Sequence, residues 1–111
     1  MGTTRTDLFS DELNHLAEQL KALSHPARLA IVEHLLNQSS CINAGFVELT
    51  GLAQSTVTRH LGVLVETGLV SSTCTDGKTS YCIAPEAWRH LEQQLQPLWM
   101  RCAASAPDCS S

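Results

Sequence analysis

The chain is poor in charge, and positive charge is the scarcer kind: seven Lys and Arg stand against eleven Asp and Glu in 111 residues, a formal net charge of −4. Attraction to a polyphosphate backbone scales with the cations presented, so this balance excludes a promiscuous nucleic-acid coat. No apolar run approaches the roughly 18 residues a membrane helix needs, which predicts that nothing spans a bilayer. The opening stretch MGTTRTDLFSDEL lacks the charged-then-apolar pattern of a secretory signal, so a cytoplasmic protein is expected. No repeat and no second domain is visible. A thiol enzyme needs an activated cysteine beside a base, and no Cys-His pairing stands out, so the sequence predicts no enzyme.

Cysteine, by contrast, is plentiful: positions 41, 74, 82, 102 and 109. An odd count without a secretory signal argues against a disulfide framework. It directs attention to reduced thiols that bind a soft ligand or respond to oxidants. With 43% hydrophobic residues the chain reads as one small domain, whose core is marginal alone. A dimer that buries extra apolar surface is therefore expected.

Residues 49–70, LTGLAQSTVTRHLGVLVETGLV, are the most informative stretch. Thr50-Gly51-Leu52 makes a tight break, and Gln54-Ser55-Thr56 opens a helix with small polar side chains. Val57, Leu61, Leu64 and Val65 form one apolar stripe. Ser55, Thr58, Arg59 and Gly62 lie on the other face, where base edges and phosphates can approach. Gly68 ends the helix as a left-handed cap. Such a helix suits the major groove of DNA. From Gln54 to Thr79 the cations are Arg59 and Lys78, balanced by Glu66 and Asp76, so groove contacts and dimer symmetry must outweigh phosphate attraction.

Around this motif, Ser10 caps a first helix carrying Leu13, Leu16, Ala17, Leu20 and Leu23. Ser24-His25-Pro26 is a break, with Ser24 a cap candidate and Pro26 suited to a first helical turn. A second, largely apolar helix spans residues 27–36, a polar loop 37–41 and a short third helix 44–50. Strands at 69–75 and 78–84 are joined by Asp76-Gly77, a strong hairpin signal. A two-residue turn pairs Cys74 with Thr79 and Ser71 with Cys82, setting Cys74 and Cys82 on opposite faces. They cannot chelate one ion together and read as strand-core cysteines, dispensable for sensing. Pro85 opens a last helix in which Trp88, Leu91, Leu95, Leu98 and Cys102 keep phase through Pro97. That phase predicts one continuous helix, kinked at the proline, rather than two separate ones.

LKALSHPARLAIVEHL followed by LAQSTVTRHLGVLVETGLV resembles the arsenic-repressor (ArsR/SmtB) family of bacterial transcriptional regulators over residues 13–100. The resemblance implies a mainly α fold with a two-stranded β wing, a winged helix-turn-helix of about five helices. It also implies a homodimer joined through first and last helices and a repressor that leaves double-stranded operator DNA when an inducer binds. By position, Gln54, Ser55, Thr58 and Arg59 become the reading residues, Thr56 and His60 flanking contacts, and Lys78 the wing-tip cation. The chemistry agrees, since Gln pairs bidentately with adenine and Arg with guanine. Arg28 is expected to order the second helix's start rather than touch DNA.

The family's sensing sites fit poorly. The arsenic Cys-Val-Cys-Asp positions hold Ile42, Ala44 and Gly45; the last-helix zinc positions hold Pro85, Ala87, Leu98 and Arg101. His90 and Glu92 stand at i, i+2 and face apart. The second-helix cysteine of dithiol persulfide sensors is Glu33 here. Cys102 and Cys109 remain, in a region where some relatives bind trivalent arsenic or antimony, and soft thiolates suit such cations. Cys41 is a candidate third ligand. The expectation is a homodimeric repressor without an obligatory cofactor, induced by trivalent arsenic or antimony at Cys102 and Cys109. A redox- or sulfur-responsive repressor of the same fold is the alternative, and an interaction adaptor that has lost DNA binding is another. Residues 1–10 are read as a flexible lead, 11–102 as the DNA-binding and dimerisation domain, and 103–111 as a flexible cysteine-bearing tail.

Overall fold

A computed structural model describes residues 6–38 and 41–105. Residues 6–8 form a single 3-10 turn. Helices α1 (Asp11–Leu23), α2 (Pro26–Leu36), α3 (Phe46–Thr50) and α4 (Gln54–Glu66) follow, then strands β1 (Val70–Thr75) and β2 (Lys78–Ile83), and helix α5 (Pro85–Ala104). From α1 to α5 the order and type of the elements are those expected from the sequence, with α5 unbroken through Pro97; the turn at residues 6–8 falls in the stretch read as a flexible lead. No described helix is long and apolar enough to cross a membrane.

Local chemistry sets the boundaries. The Ser10 hydroxyl accepts from the amide of Leu13 and starts α1. Ser24 does not cap α2 as expected: its hydroxyl donates back to the Lys21 carbonyl. The cap is His25, whose Nδ1 accepts from the Ala27 amide at 3.0 Å, while Pro26 takes the first turn, where no amide is needed. The third helix starts two residues later than expected, because Gly45 stands before it at φ 90°. Between α3 and α4, Gly51 adopts φ 71°, a conformation that strains a residue with a Cβ. The Thr50 hydroxyl donates to the Phe46 carbonyl and accepts from the Leu52 amide, bracing the turn from both sides.

Ile31, Val32, Leu35, Phe46, Val57, Leu61, Leu64 and Val70 are buried together, so α2 is the central helix against which α3, α4 and the wing root pack. Leu16, Leu69 and Leu91 join α1 and α5 in a smaller cluster. The wing is antiparallel with Cys74 opposite Thr79 and Ser71 opposite Cys82, the expected register. Asp76 and Gly77 both have positive φ, 52° and 77°, the geometry of a type I′ turn.

A third extended piece was not foreseen. Ile42 pairs antiparallel with Tyr81, its amide donating to the Tyr81 carbonyl at 3.1 Å and its carbonyl accepting from the Tyr81 amide at 2.8 Å. The residue that directly follows the polar loop expected over 37–41 is thus tied edge-on to β2, at the base of the wing.

Candidate nucleic-acid interface and thiol positions

Helix α4 divides as its periodicity requires. Val57, Leu61 and Leu64 are buried, whereas Gln54, Ser55, Thr58, Arg59 and Gly62 are exposed. Gln54 and Thr58 order each other: the Gln54 amide donates to the Thr58 hydroxyl at 3.2 Å, which donates to the Gln54 carbonyl at 3.0 Å. Thr56 is half-buried. No side chain caps α4, whose preceding residue is Ala53. Its first amides and the positive end of its dipole therefore remain open to an anion, which partly offsets the shortage of cations. Lys78 opens β2 next to the wing turn, exposed.

His60 departs from expectation. Expected as a flanking contact, it is turned inward and only 8% exposed, one i+3 step from the buried Val57. Arg28 donates from Nε to His60 Nδ1 at 3.1 Å and from Nη1 to the Ala22 carbonyl at 3.2 Å, and the His25 ring lies 4.4 Å away. Arg28 therefore pins the end of α1 to α4, as an ordering residue. The acceptor role requires His60 Nδ1 to be unprotonated. Burial, then the charges of His25, Arg28 and Arg59, hold its pKa below the usual imidazole value.

The sign follows from linkage. Unfolded His60 takes up a proton near pH 6.5, and folded His60 only at lower pH. The folded state binds fewer protons across that window. The contribution of neutral His60 is complete above about pH 6.5 and declines as pH falls toward the lowered folded value. His60→Gln keeps an acceptor for Arg28 but does not titrate. Thermal melts from about pH 7.5 to 5 are expected to show a shallower loss in this variant than in the native chain; parallel curves would contradict the buried neutral imidazole.

The thiols fall into two regions. Cys102 lies exposed on the final turns of α5 beside a shallow hollow lined by Leu98, Arg101 and Ser105. Its expected companion Cys109 lies outside the described residues. Cys41 is not with Cys102: it forms a disulfide with Cys82. Two expectations are thereby corrected. Cys41 is engaged at the wing base rather than free to complete a site on α5, and Cys82 is paired rather than inert strand packing. Cys74, also read as core, is exposed on β1. Among the described residues this disulfide exists although the odd cysteine count argued against a framework, because the Ile42–Tyr81 bridge sets Cys41 opposite Cys82. Among the described residues, no group of three or more His, Cys, Asp and Glu side chains can hold a metal ion. At the divergent family positions, Ile42 is in the bridge and Gly45 precedes α3. His90 approaches His15 rather than Glu92.

Comparison with known proteins places this architecture. Residues 25–72 match the family model for bacterial regulatory proteins of the arsR family. A biofilm growth-associated repressor of Xylella fastidiosa is 36% identical over 69 residues, which span 62% of this chain and 59% of that protein. The crystal structure of the transcriptional repressor BigR from the same organism is similar at 29% identity and a TM-score of 0.57, covering 86% of this chain and 96% of that one. A homodimeric winged helix-turn-helix DNA-binding domain from Mycobacterium bovis shares the fold, with a TM-score of 0.63, 24% identity and 92% of each chain covered. The matched segment runs from the His25 cap through the turn and α4 to the base of the wing. Five helices and a two-stranded wing among the described residues give the chain a winged helix-turn-helix fold, and its residues 25–72 are similar to bacterial regulatory proteins of the arsR family.

Proposed function

We propose that this protein is a homodimeric transcriptional repressor that binds double-stranded operator DNA in the cytoplasm and is released by a thiol-directed inducer. The observation that carries the reading is the solvent-facing group Gln54, Ser55, Thr58 and Arg59 on the uncapped start of α4, with Lys78 at the wing. Two protomers joined through α1 and α5 present two such helices to half-sites about 34–36 Å apart. A rotation at the seam then spoils simultaneous docking.

Trivalent arsenic or antimony is the proposed inducer, with Cys102 and Cys109 as thiolate ligands. Soft donors and the position of Cys102 on α5 support this choice. Ligation displaces thiol protons, so inducer affinity should fall with pH. No other cofactor is part of the proposal.

Mobility-shift assays on the protein's own promoter test both parts. Arg59→Ala is expected to cost about 1–3 kcal/mol and to relax preference at one base pair. Lys78→Ala is expected to weaken all sequences alike and flatten the salt dependence. Unchanged operator affinity in Arg59→Ala would remove the assigned reading face, and no binding by the native chain would favour an adaptor that keeps only the fold. Release by arsenite or antimonite should be lost in Cys102→Ser and Cys109→Ser. An intact response in Cys102→Ser sinks the α5 site.

A further inference from the structure

The two cysteines at the wing base sit where the backbone itself brings them together. Ile42 and Tyr81 exchange both N–H···O bonds, so they are a hydrogen-bonded antiparallel pair. The next pair outward, Cys41 and Cys82, is then the narrow, non-hydrogen-bonded kind, for which Cα atoms stand about 4.5 Å apart. The observed separation is 4.6 Å, also within the span a disulfide accepts. The bridge is anchored independently of the sulfurs: Ile42 and Tyr81 pack against the main core, and the Tyr81 ring meets Phe46 edge-on. The thiols are therefore neighbours whether or not a bond joins them. Cys41 is exposed and Cys82 half-buried. An open hollow of about 420 Å³, lined by His34, Gln38, Cys41, Asn43 and Gly45, gives a small reagent access to the Cys41 side.

We propose that Cys41 and Cys82 are a reversible dithiol/disulfide pair, oxidised by small peroxides, that clips the wing to the connection between α2 and α3. The Cys41 sulfur attacks the peroxide O–O bond, giving a sulfenic acid and one water. The Cys82 thiol then attacks that sulfur, forming the S–S bond and releasing the second water. The two thiols lose two electrons and two protons, and hydrogen peroxide leaves as two waters. Exchange with a reduced dithiol reverses the step. In a reducing cytosol such a bond is transient, which suits a signal better than a scaffold.

The clip acts on the part of the molecule that meets DNA. Lys78 lies four residues from Cys82 along β2, a lever of about 13 Å, and β1 beyond Val70 is exposed throughout. Besides its turn and β1, the wing is held at its outer edge by the two hydrogen bonds to Ile42. Adding or removing a covalent link there changes how far the wing tip ranges relative to α4. This regulatory consequence rests on the operator-binding reading above; the thiol chemistry does not.

The test starts from fully reduced full-length protein treated with stoichiometric hydrogen peroxide, alkylated and digested with trypsin. Cleavage at Arg28, Arg59, Lys78, Arg89 and Arg101 separates Cys41, Cys74 and Cys82 into three peptides, with Cys102 and Cys109 in a fourth. Residues 29–59 joined to residues 79–89 is the expected product; a cross-link to any other cysteine, or none, overturns the site. Hydrogen exchange at the amides of residues 78–83 is expected to slow on oxidation, and unchanged exchange overturns the clip without reference to DNA. Operator Kd values of the reduced and oxidised forms should differ by about fivefold or more. Cys41→Ser and Cys82→Ser should abolish that difference while retaining the reduced form's affinity, and Cys102→Ser should preserve it. Equal Kd values despite the cross-link overturn the switch. A reduced protein that binds no operator instead removes the repressor reading and leaves the cross-link and exchange results to decide the thiol pair.

Discussion

Trp99→Glu is expected to yield a folded monomer that no longer binds operator DNA. Trp99 is 75% exposed in the protomer, so replacing it removes little from the protomer's own core. Yet Leu98 and Met100 beside it are also exposed, as are Leu13 and Leu20 on α1, and an apolar hollow between the two helices is lined by Leu20, Leu91, Leu95, Trp99 and Met100. An apolar surface of this extent marks an interaction site. Tryptophan anchors at such sites cost about 2–4 kcal/mol or more when removed, and a carboxylate adds the cost of burying an unpaired charge. The dimer constant should therefore weaken by well over tenfold. Light scattering is expected to return the 12.1 kDa chain mass with helical content unchanged by circular dichroism, and mobility shifts to show no specific complex. A variant that stays dimeric and binds operator would show that the seam lies elsewhere.

Phe46→Ala carries the second large effect, this time inside the protomer. Phe46 is buried at the first position of α3. Its ring stands edge-on to His34 at 5.6 Å and to Tyr81 at 6.0 Å, so one side chain joins α2, the helix-turn-helix and the wing base. Truncating a buried phenylalanine costs about 3–5 kcal/mol, against a total stability of about 5–15 kcal/mol for a domain. The melting temperature should fall by at least about 12 °C, measured at fixed protein concentration so that any self-association does not alter apparent stability. Phe46→Leu refills most of the volume and should recover most of the loss. A small shift in Phe46→Ala would mean that the wing base is held without this ring.

The helix order, the winged motif and the exposed polar face of α4 were legible in the chain because each depends on local periodicity and turn chemistry. The stripe Val57, Leu61 and Leu64 selects which side of α4 is buried, and that choice alone exposes Gln54, Ser55, Thr58 and Arg59. Asp76-Gly77 fixes a two-residue turn, and the turn fixes which residues of the wing face one another. Pro97 interrupted no apolar phase, so α5 ran through it. Periodicity says nothing of partners far apart in sequence, and the corrections lie there. His60 looked like a polar residue flanking the reading face, but Arg28, 32 positions away, turns it into an acceptor within the fold. His25, not Ser24, caps α2, because a ring nitrogen reached the free amide while the hydroxyl was bound to Lys21.

The cysteines show the division most clearly. The sequence by itself determined that Cys74 and Cys82 cannot converge, because strand alternation is a local rule. It had no means of telling that Cys41 would meet Cys82 across 41 positions, since Cys41 stands at the end of a stretch without helical or strand periodicity. What joined them is an edge. Packing α3 through Phe46 against Tyr81 carried the connection alongside β2, whose free amide and carbonyl at Tyr81 needed partners once drawn toward the core. Ile42 supplied both. Hydrogen-bond satisfaction at one tertiary contact, rather than any motif, decided which thiols of this chain are neighbours.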